Sequence, residues 1–498
     1  MIIRGEKAVN RHKYDQLIGS MKAKDMSLTT RMLTLGRSRV WVVYVKQLVD
    51  TQSLSQFVIN PLIRHYENEL SYPTAQKAAN SIISAADCIV ESDTSKVEAH
   101  ILNGMAVLLF GNDNEYAVVN LKQVPHRPVD TPSITYSMLG PKDSFVENLD
   151  VNLSLIRYRI KDPNLKIDMF ELGKRTKTAF AAIYIKDIAN EETVKRVEDN
   201  ISQIDTDAIW GTGDVANILS GKYSLFKILK PTERSDMACE ALMEGKIVLL
   251  GDGGTVAMIT PFTYAESIIS CDDRYDNQFF GFFARLIRYL ALLTTLCATA
   301  VYVAIVAYHT DALPGSYAIL LSKLRQSVLF PAMIEVLIVE FIVELIREAL
   351  VRVPSKIGAA IGIVGAIIIG NAATAAGIFD DLVLILVSSS LLASFAMPDY
   401  ASMHPIRLLK FFLILMTGIL GFYGFVLGLS AILTNLVSMD SFGVPYLAPF
   451  APFNKYDFKR AFIFSRKTSS LRMRFMRTKD DTRGSKGHEI KKKLNKSE

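Results

Sequence analysis

Four carboxylates interrupt an apolar run. In "FPAMIEVLIVEFIVELIREALVRVP" (Phe330–Pro354), the acidic residues are Glu335, Glu340, Glu344 and Glu348. At 100° per residue, Glu340, Glu344 and Glu348 fall within about 80° of one another, and Glu335 points nearly the opposite way. A carboxylate at a bilayer centre costs about 2.5–3.5 kcal/mol on insertion scales. Two arrangements tolerate that cost. One is an amphipathic interfacial helix, or ion pairs with Arg347, Arg352, Lys323 or Arg325. The other is an acidic membrane stripe that draws monovalent cations to a pathway.

A second stretch with two chemically distinct faces follows, "IGAAIGIVGAIIIGNAATAAGIF" (Ile357–Phe379). Gly358, Gly362, Gly365 and Ala372 make a small-residue face suited to close helix packing. Ala360, Val364, Ile367, Asn371 and Thr374 make the opposite face. It is narrow and mostly apolar, with two polar residues near one end, as a pore-lining helix with a hydrophobic gate would be. A buried central helix whose Asn371 bonds a neighbour fits the same pattern.

These stretches belong to an apolar region, 279–438. It reads as an all-α multi-pass membrane domain with segments near 282–308, 328–350, 357–378, 382–397 and 408–437. Five crossings from a cytoplasmic N-terminal region place Arg347, Arg352, Lys356, Arg407 and Lys410 inside. They also place the C-terminal tail outside, against its charge. Residues 454–498 carry 15 Lys or Arg and 5 Asp or Glu, whereas the whole chain nets only +6. The expectation is therefore four or five spans, one of them re-entrant. The suspects are the glutamate helix and the last segment with Gly418, Gly421, Gly424 and Gly428. The tail, 439–498, is expected to touch anionic lipid rather than nucleic acid.

The first 278 residues contain a repeat. "RSRVWVVYVKQLVDTQSLSQFVIN" (Arg37–Asn60) matches "TKTAFAAIYIKDIANEETVKRVED" (Thr176–Asp199), and "ILNGMAVLLFGNDNEYAVVN" (Ile101–Asn120) matches "LMEGKIVLLGDGGTVAMITP" (Leu242–Pro261). Two matched pairs at nearly one offset indicate duplication. Each copy reads as a buried strand, an amphipathic helix, a further helix, a glycine and a β-hairpin. The fold class expected is an α/β soluble region of two duplicated subdomains, 1–140 and 141–278. The second begins with a linking helix, on which Phe145, Leu149, Leu153 and Ile156 share a face. "GDGG" and "WGTGD" read as turns, since no phosphate-loop consensus is present. The histidines are scattered, no nucleophile elbow occurs, and the four cysteines form no C-x-x-C pair. No enzyme activity, cofactor or metal is expected, and the N-terminus has no signal-peptide pattern.

Several stretches together resemble the A subunits of the GerA family of spore germinant receptors. They are Leu329–Pro354, Ile357–Phe379, "SFGVPYLAPFAP" (Ser441–Pro452), "GPKDSFVENLDVNLSLIRYRIKDPNLK" (Gly140–Lys166), Leu172–Asn190 and Glu233–Gly253. The resemblance covers roughly residues 32–483. It implies a protein of the spore inner membrane that works with a permease-like B subunit and a lipoprotein C subunit. It further implies assembly into a homo-oligomeric ring that conducts monovalent cations when nutrient binds, with the helix over 357–378 as the pore lining. A signalling scaffold for the B and C subunits, or a SpoVAF-like germination protein, is the alternative.

Overall fold

The computed structural model describes residues 14–21, 28–35, 38–69, 73–85, 87–111, 113–122, 140–141, 143–221, 224–270, 272–274, 277–326, 328–352, 374–399, 401–462 and 471–482. The chain divides into two compact units. One gathers Met1–Lys222, Leu229–Pro261 and Ser470–Glu498; the other gathers Tyr223–Ile228 and Phe262–Ser469.

The first unit is α/β and built twice. Its first copy comprises a helix α1 over residues 14–21, strands β1 (Leu28–Leu35) and β2 (Ser38–Val45), and a helix α2 over residues 51–69. Strand β3 (Cys88–Glu91), helix α3 (Val97–Leu102) and the hairpin β4 (Ala106–Phe110)–β5 (Tyr116–Val119) follow. The second copy has α4 (Leu149–Arg159), β6 (Leu165–Leu172), β7 (Thr178–Ile185), α5 (Glu191–Ser202), α6 (Thr212–Ser220), β8 (Lys230–Thr232), α7 (Ser235–Met243), β9 (Ile247–Gly251) and β10 (Ala257–Thr260). The sheet orders are β1-β2-β4-β5-β3 and β6-β7-β9-β10-β8, so the two topologies coincide. Every neighbouring pair is antiparallel.

Alternation along β2 assigns its residues to two cores. Val40, Val42 and Tyr44 pack with Leu54, Val58 and Leu62 of α2, while Trp41, Val43 and Val45 pack with Tyr14, Ile18, Val97 and Ile101. The same register recurs in the second copy, where Ala181, Ile183 and Ile185 pack with Leu149, Leu153, Ile156, Ala238 and Leu242. Helix α4 therefore covers the second sheet as α1 covers the first. Asn148 caps α4 by accepting from Val151 N–H at 3.1 Å.

The second unit is helical. It contains α8 (Gln278–Tyr308), α9 (Gly315–Arg325), α10 (Ala332–Arg352), α11 (Asp381–Phe395), α12 (Met403–Ser438) and α13 (Lys455–Phe462). Two of these, α8 and α12, pass as long and apolar enough to cross a membrane. The 36 residues of α12 are not one rod, however. Gly421 sits at φ 63° and ψ −145°, outside any helix. In a straight helix Met416 and Gly424 would lie about 12 Å apart along the axis. Instead, a Cβ on Gly424 would collide with the Met416 carbonyl, and one on Gly428 would stand 2.9 Å from Leu413 Cδ1. The chain reverses at Gly421, and residues 403–420 and 422–438 form an antiparallel hairpin. The segment expected over 408–437, one of the two suspected of being re-entrant, is thus two limbs rather than one span. Glycine permits the φ of the turn, and glycines let the two limbs approach.

Candidate functional site

The glutamates of α10 become a ladder of charges inside the helical unit. Glu335 and Glu340 are fully buried. A buried carboxylate without partners would be prohibitively costly, so each must find a cation or N–H donors. Arg325 Nη1 donates to Glu335 Oε2 at 3.0 Å and to Tyr302 Oη at 3.1 Å, while its Nη2 reaches Phe330 O at 3.1 Å. The Asp380 N–H donates to Glu335 Oε1 at 2.5 Å. One carboxylate thus ties together the end of α9, the start of α10 and the start of α11.

About one and a half turns along α10, Lys410 of α12 donates to Glu340 Oε2 at 2.5 Å and approaches Ser390 Oγ of α11 at 3.4 Å. Ser390 and Thr295 cross-link α11 to α8, each hydroxyl donating to the other's backbone carbonyl at 3.4 and 3.3 Å. One turn further, Glu344 lies 3.5 Å from Arg407 Nη1 and 3.8 Å from Arg347 Nη1. Arg347 Nη2 reaches Ser394 Oγ at 3.3 Å, and its guanidinium lies 5.5 Å from the Phe395 ring centroid. The last rung, Glu348–Arg352 at 2.6 Å, is exposed on both sides.

These contacts fix the helix directions. Glu335 meets Asp380 and Arg347 meets Ser394, so α10 and α11 run parallel. Glu340 meets Lys410 and Glu344 meets Arg407, so α10 and the first limb of α12 run antiparallel. Tyr302 meets Asp380 at 3.4 Å and Thr295 meets Ser390, so α8 and α11 are antiparallel. Tyr308 Oη donates to Gly418 O at 2.6 Å, placing the end of α8 near the hairpin turn.

Of the partners expected for the glutamates, Arg325, Arg347 and Arg352 are used. Lys410 and Arg407, whose charge the sequence assigns only to a cytoplasmic flank, are the further partners. Their only sequence signal was a pair of cations at the head of an apolar segment. Ala360, Val364, Ile367 and Asn371, with Gly358, Gly362 and Gly365, lie outside the described residues. Thr374 is described; it is helical and half-buried, and its carbonyl accepts from Gly377 N–H at 3.0 Å.

A family model described as Bacillus/Clostridium GerA spore germination protein matches residues 15–475. Spore germination protein KA of Bacillus subtilis is 32% identical over 421 residues, covering 84% of this chain and 77% of that one. The uncharacterized membrane protein YfkQ of the same organism is 31% identical over 424 residues, covering 85% and 82%. Among solved structures, the N-terminal domain of the A subunit of the Bacillus megaterium spore germinant receptor GerK3 aligns with 49% of this chain and 92% of its own. Its identity is 22% and its TM-score 0.38.

Proposed function

The chain belongs to the GerA family of spore germination proteins, and from that premise we propose that it is the A subunit of a nutrient-sensing germinant receptor in the spore inner membrane. The observation that carries this reading is a family match running through both units, from residue 15 to residue 475. The role is that of a receptor component without catalysis of its own, working with a permease-like B subunit and a lipoprotein C subunit.

The helical unit is the multi-pass part. The hairpin in α12 removes the parity problem that five segments posed. Helix α8 leaves the cytoplasmic side, α10 returns, α11 returns in parallel with α10, and the two limbs of α12 go out and back. In that order Arg285, Arg288, Arg347, Arg352 and Arg407 all fall at the cytoplasmic ends. Phe283, Leu290 and Leu293 on α8, and Ile419, Tyr423 and Leu433 on α12, are exposed apolar residues suited to lipid or to a neighbouring copy.

The ladder is read as bracing rather than as the conduction path. Glu335 and Glu340 already have cations in contact and no exposed surface, so a passing ion would have to displace Arg325 or Lys410. The conduction path, in a ring of subunits that opens when nutrient binds, is assigned instead to the face carrying Ala360, Val364, Ile367, Asn371 and Thr374. Cation flux through vesicles holding the complete receptor tests this. Substitutions on that face should change flux per complex, whereas Glu340→Gln should change how much complex assembles.

A further inference from the structure

Each α/β copy has a corner where the turn after its second strand meets the glycine before its hairpin. In the first copy Leu48 N–H donates to Val45 O at 3.0 Å, and Gly104 N–H to Ile101 O at 3.0 Å. In the second, Ile188 N–H donates to Ile185 O at 3.1 Å, and Gly245 N–H to Leu242 O at 3.0 Å. Both glycines have left-handed φ, 81° and 84°. The corners are equivalent, but different chain segments fill them.

The first copy fills its own. After β5 the chain folds back, Leu121 O accepts from Asp50 N–H at 2.9 Å, and Lys122 bridges to Val49. A Cβ on Gly104 would touch Lys122 Cγ at 3.3 Å. The second copy cannot do this, because after β10 the chain departs at Pro261 for the helical unit. Its corner is filled by residues that return from there. Lys479 N–H donates to Ile188 O at 3.0 Å, and Lys479 Nζ reaches Lys186 O at 3.0 Å and Glu191 at 2.6 Å. Asn190 Nδ2 donates to Arg477 O at 2.9 Å. A Cβ on Gly245 would strike the Thr478 methyl. Arg472, buried, holds the segment's shape by donating to Asp480 O at 2.6 Å and Thr482 O at 2.7 Å, and anchors it through Met243 O at 2.7 Å.

We infer that residues 471–482 are a strap that completes the second α/β copy in place of the self-filling segment of the first. The strap is the one described part of the C-terminal tail that docks on the α/β unit. Docking there requires the tail to lie on the same membrane side as the N-terminal region, a consequence that rests on the membrane reading above.

Two measurements on the full chain in membranes test this separately. Hydrogen exchange of an Arg472→Ala variant should speed up by about tenfold or more at residues 188–190 and 243–245. The equivalent residues 48–50 and 104 should keep parental protection, which also reports that the variant is folded. Unchanged exchange in the second copy, or equal loss in both, overturns the strap. Lys195→Cys and Arg474→Cys variants, with the parent as blank, are then labelled by an impermeant maleimide in sealed vesicles. Labelling of both from one face is expected. Labelling from opposite faces overturns the strap together with the out-and-back order of the spans, while the helical unit stays assigned to the membrane. If alkali extracts the chain from vesicles, the membrane reading fails, and the exchange result still decides the strap.

Discussion

Lys410 Nζ lies 2.5 Å from Glu340 Oε2 with both side chains buried, a pair closed across 70 residues of sequence between two helices. Its second carboxylate oxygen, Oε1, has no hydrogen-bond partner among the described residues. The lysine is therefore the principal compensation for that charge.

Removing one member of such a pair leaves an uncompensated buried charge and costs about 3–5 kcal/mol, whereas replacing both by neutral groups of similar volume is nearly neutral or stabilising. Lys410→Met should sharply lower the thermal stability and yield of the membrane-extracted protein. Lys410→Met with Glu340→Gln should restore most of both. A thermal melt in detergent across the three variants checks this, and a double variant as weak as the single one would count against the pair.

The hairpin makes its own demand. Gly421→Ala places a Cβ at φ 63° and ψ −145°, at a cost of order 1–3 kcal/mol. Gly424→Val is expected to be worse, since its Cβ meets the Met416 backbone, which cannot rotate away. Gly428→Ala should be the mildest, because the atom it meets is a Leu413 methyl. That order of melting temperatures would be scrambled if α12 were a continuous rod.

The strap should respond to acid. Its hydrogen bond and charge contact with Lys479 hold the Glu191 carboxyl below the usual range. Burial pushes Asp480 up, but hydrogen bonds from Thr482 and Arg472 outweigh it and leave that carboxyl lowered too. Depressed carboxylates contribute stability above their unfolded pKa, about 4, and lose it as pH falls through the folded values. Exchange protection at 188–190 should be flat from about pH 6 to 8 and fall below about pH 4. Loss of protection on raising the pH would contradict the assignment.

Much of the α/β unit was legible because repetition survives in the buried strands and the hairpins, where packing restricts residue choice. The outer strands were not. In β6, "LKIDMFEL", charged residues alternate with apolar ones at a sheet edge, and Met169 is half-exposed. The cations facing Glu340 and Glu344 were hidden for a different reason: ion pairs between helices leave no spacing rule along the chain. The reversal at Gly421 was hidden because hydropathy records how apolar a stretch is and not its direction. Glycines at 418, 421, 424 and 428 look the same whether they pack a straight helix or turn one back.

Conduction by this chain, gated at the face holding Val364, is the part of the proposed function that a single experiment tests most directly. The most direct measurement is nutrient-triggered monovalent cation flux in spores carrying Val364→Ala beside the parental chain, with the B and C subunits present and receptor levels matched. The account predicts leak before nutrient arrives or a larger flux per receptor afterwards. Parental flux from this variant and from Ile367→Ala would contradict it and leave the chain as a signalling scaffold.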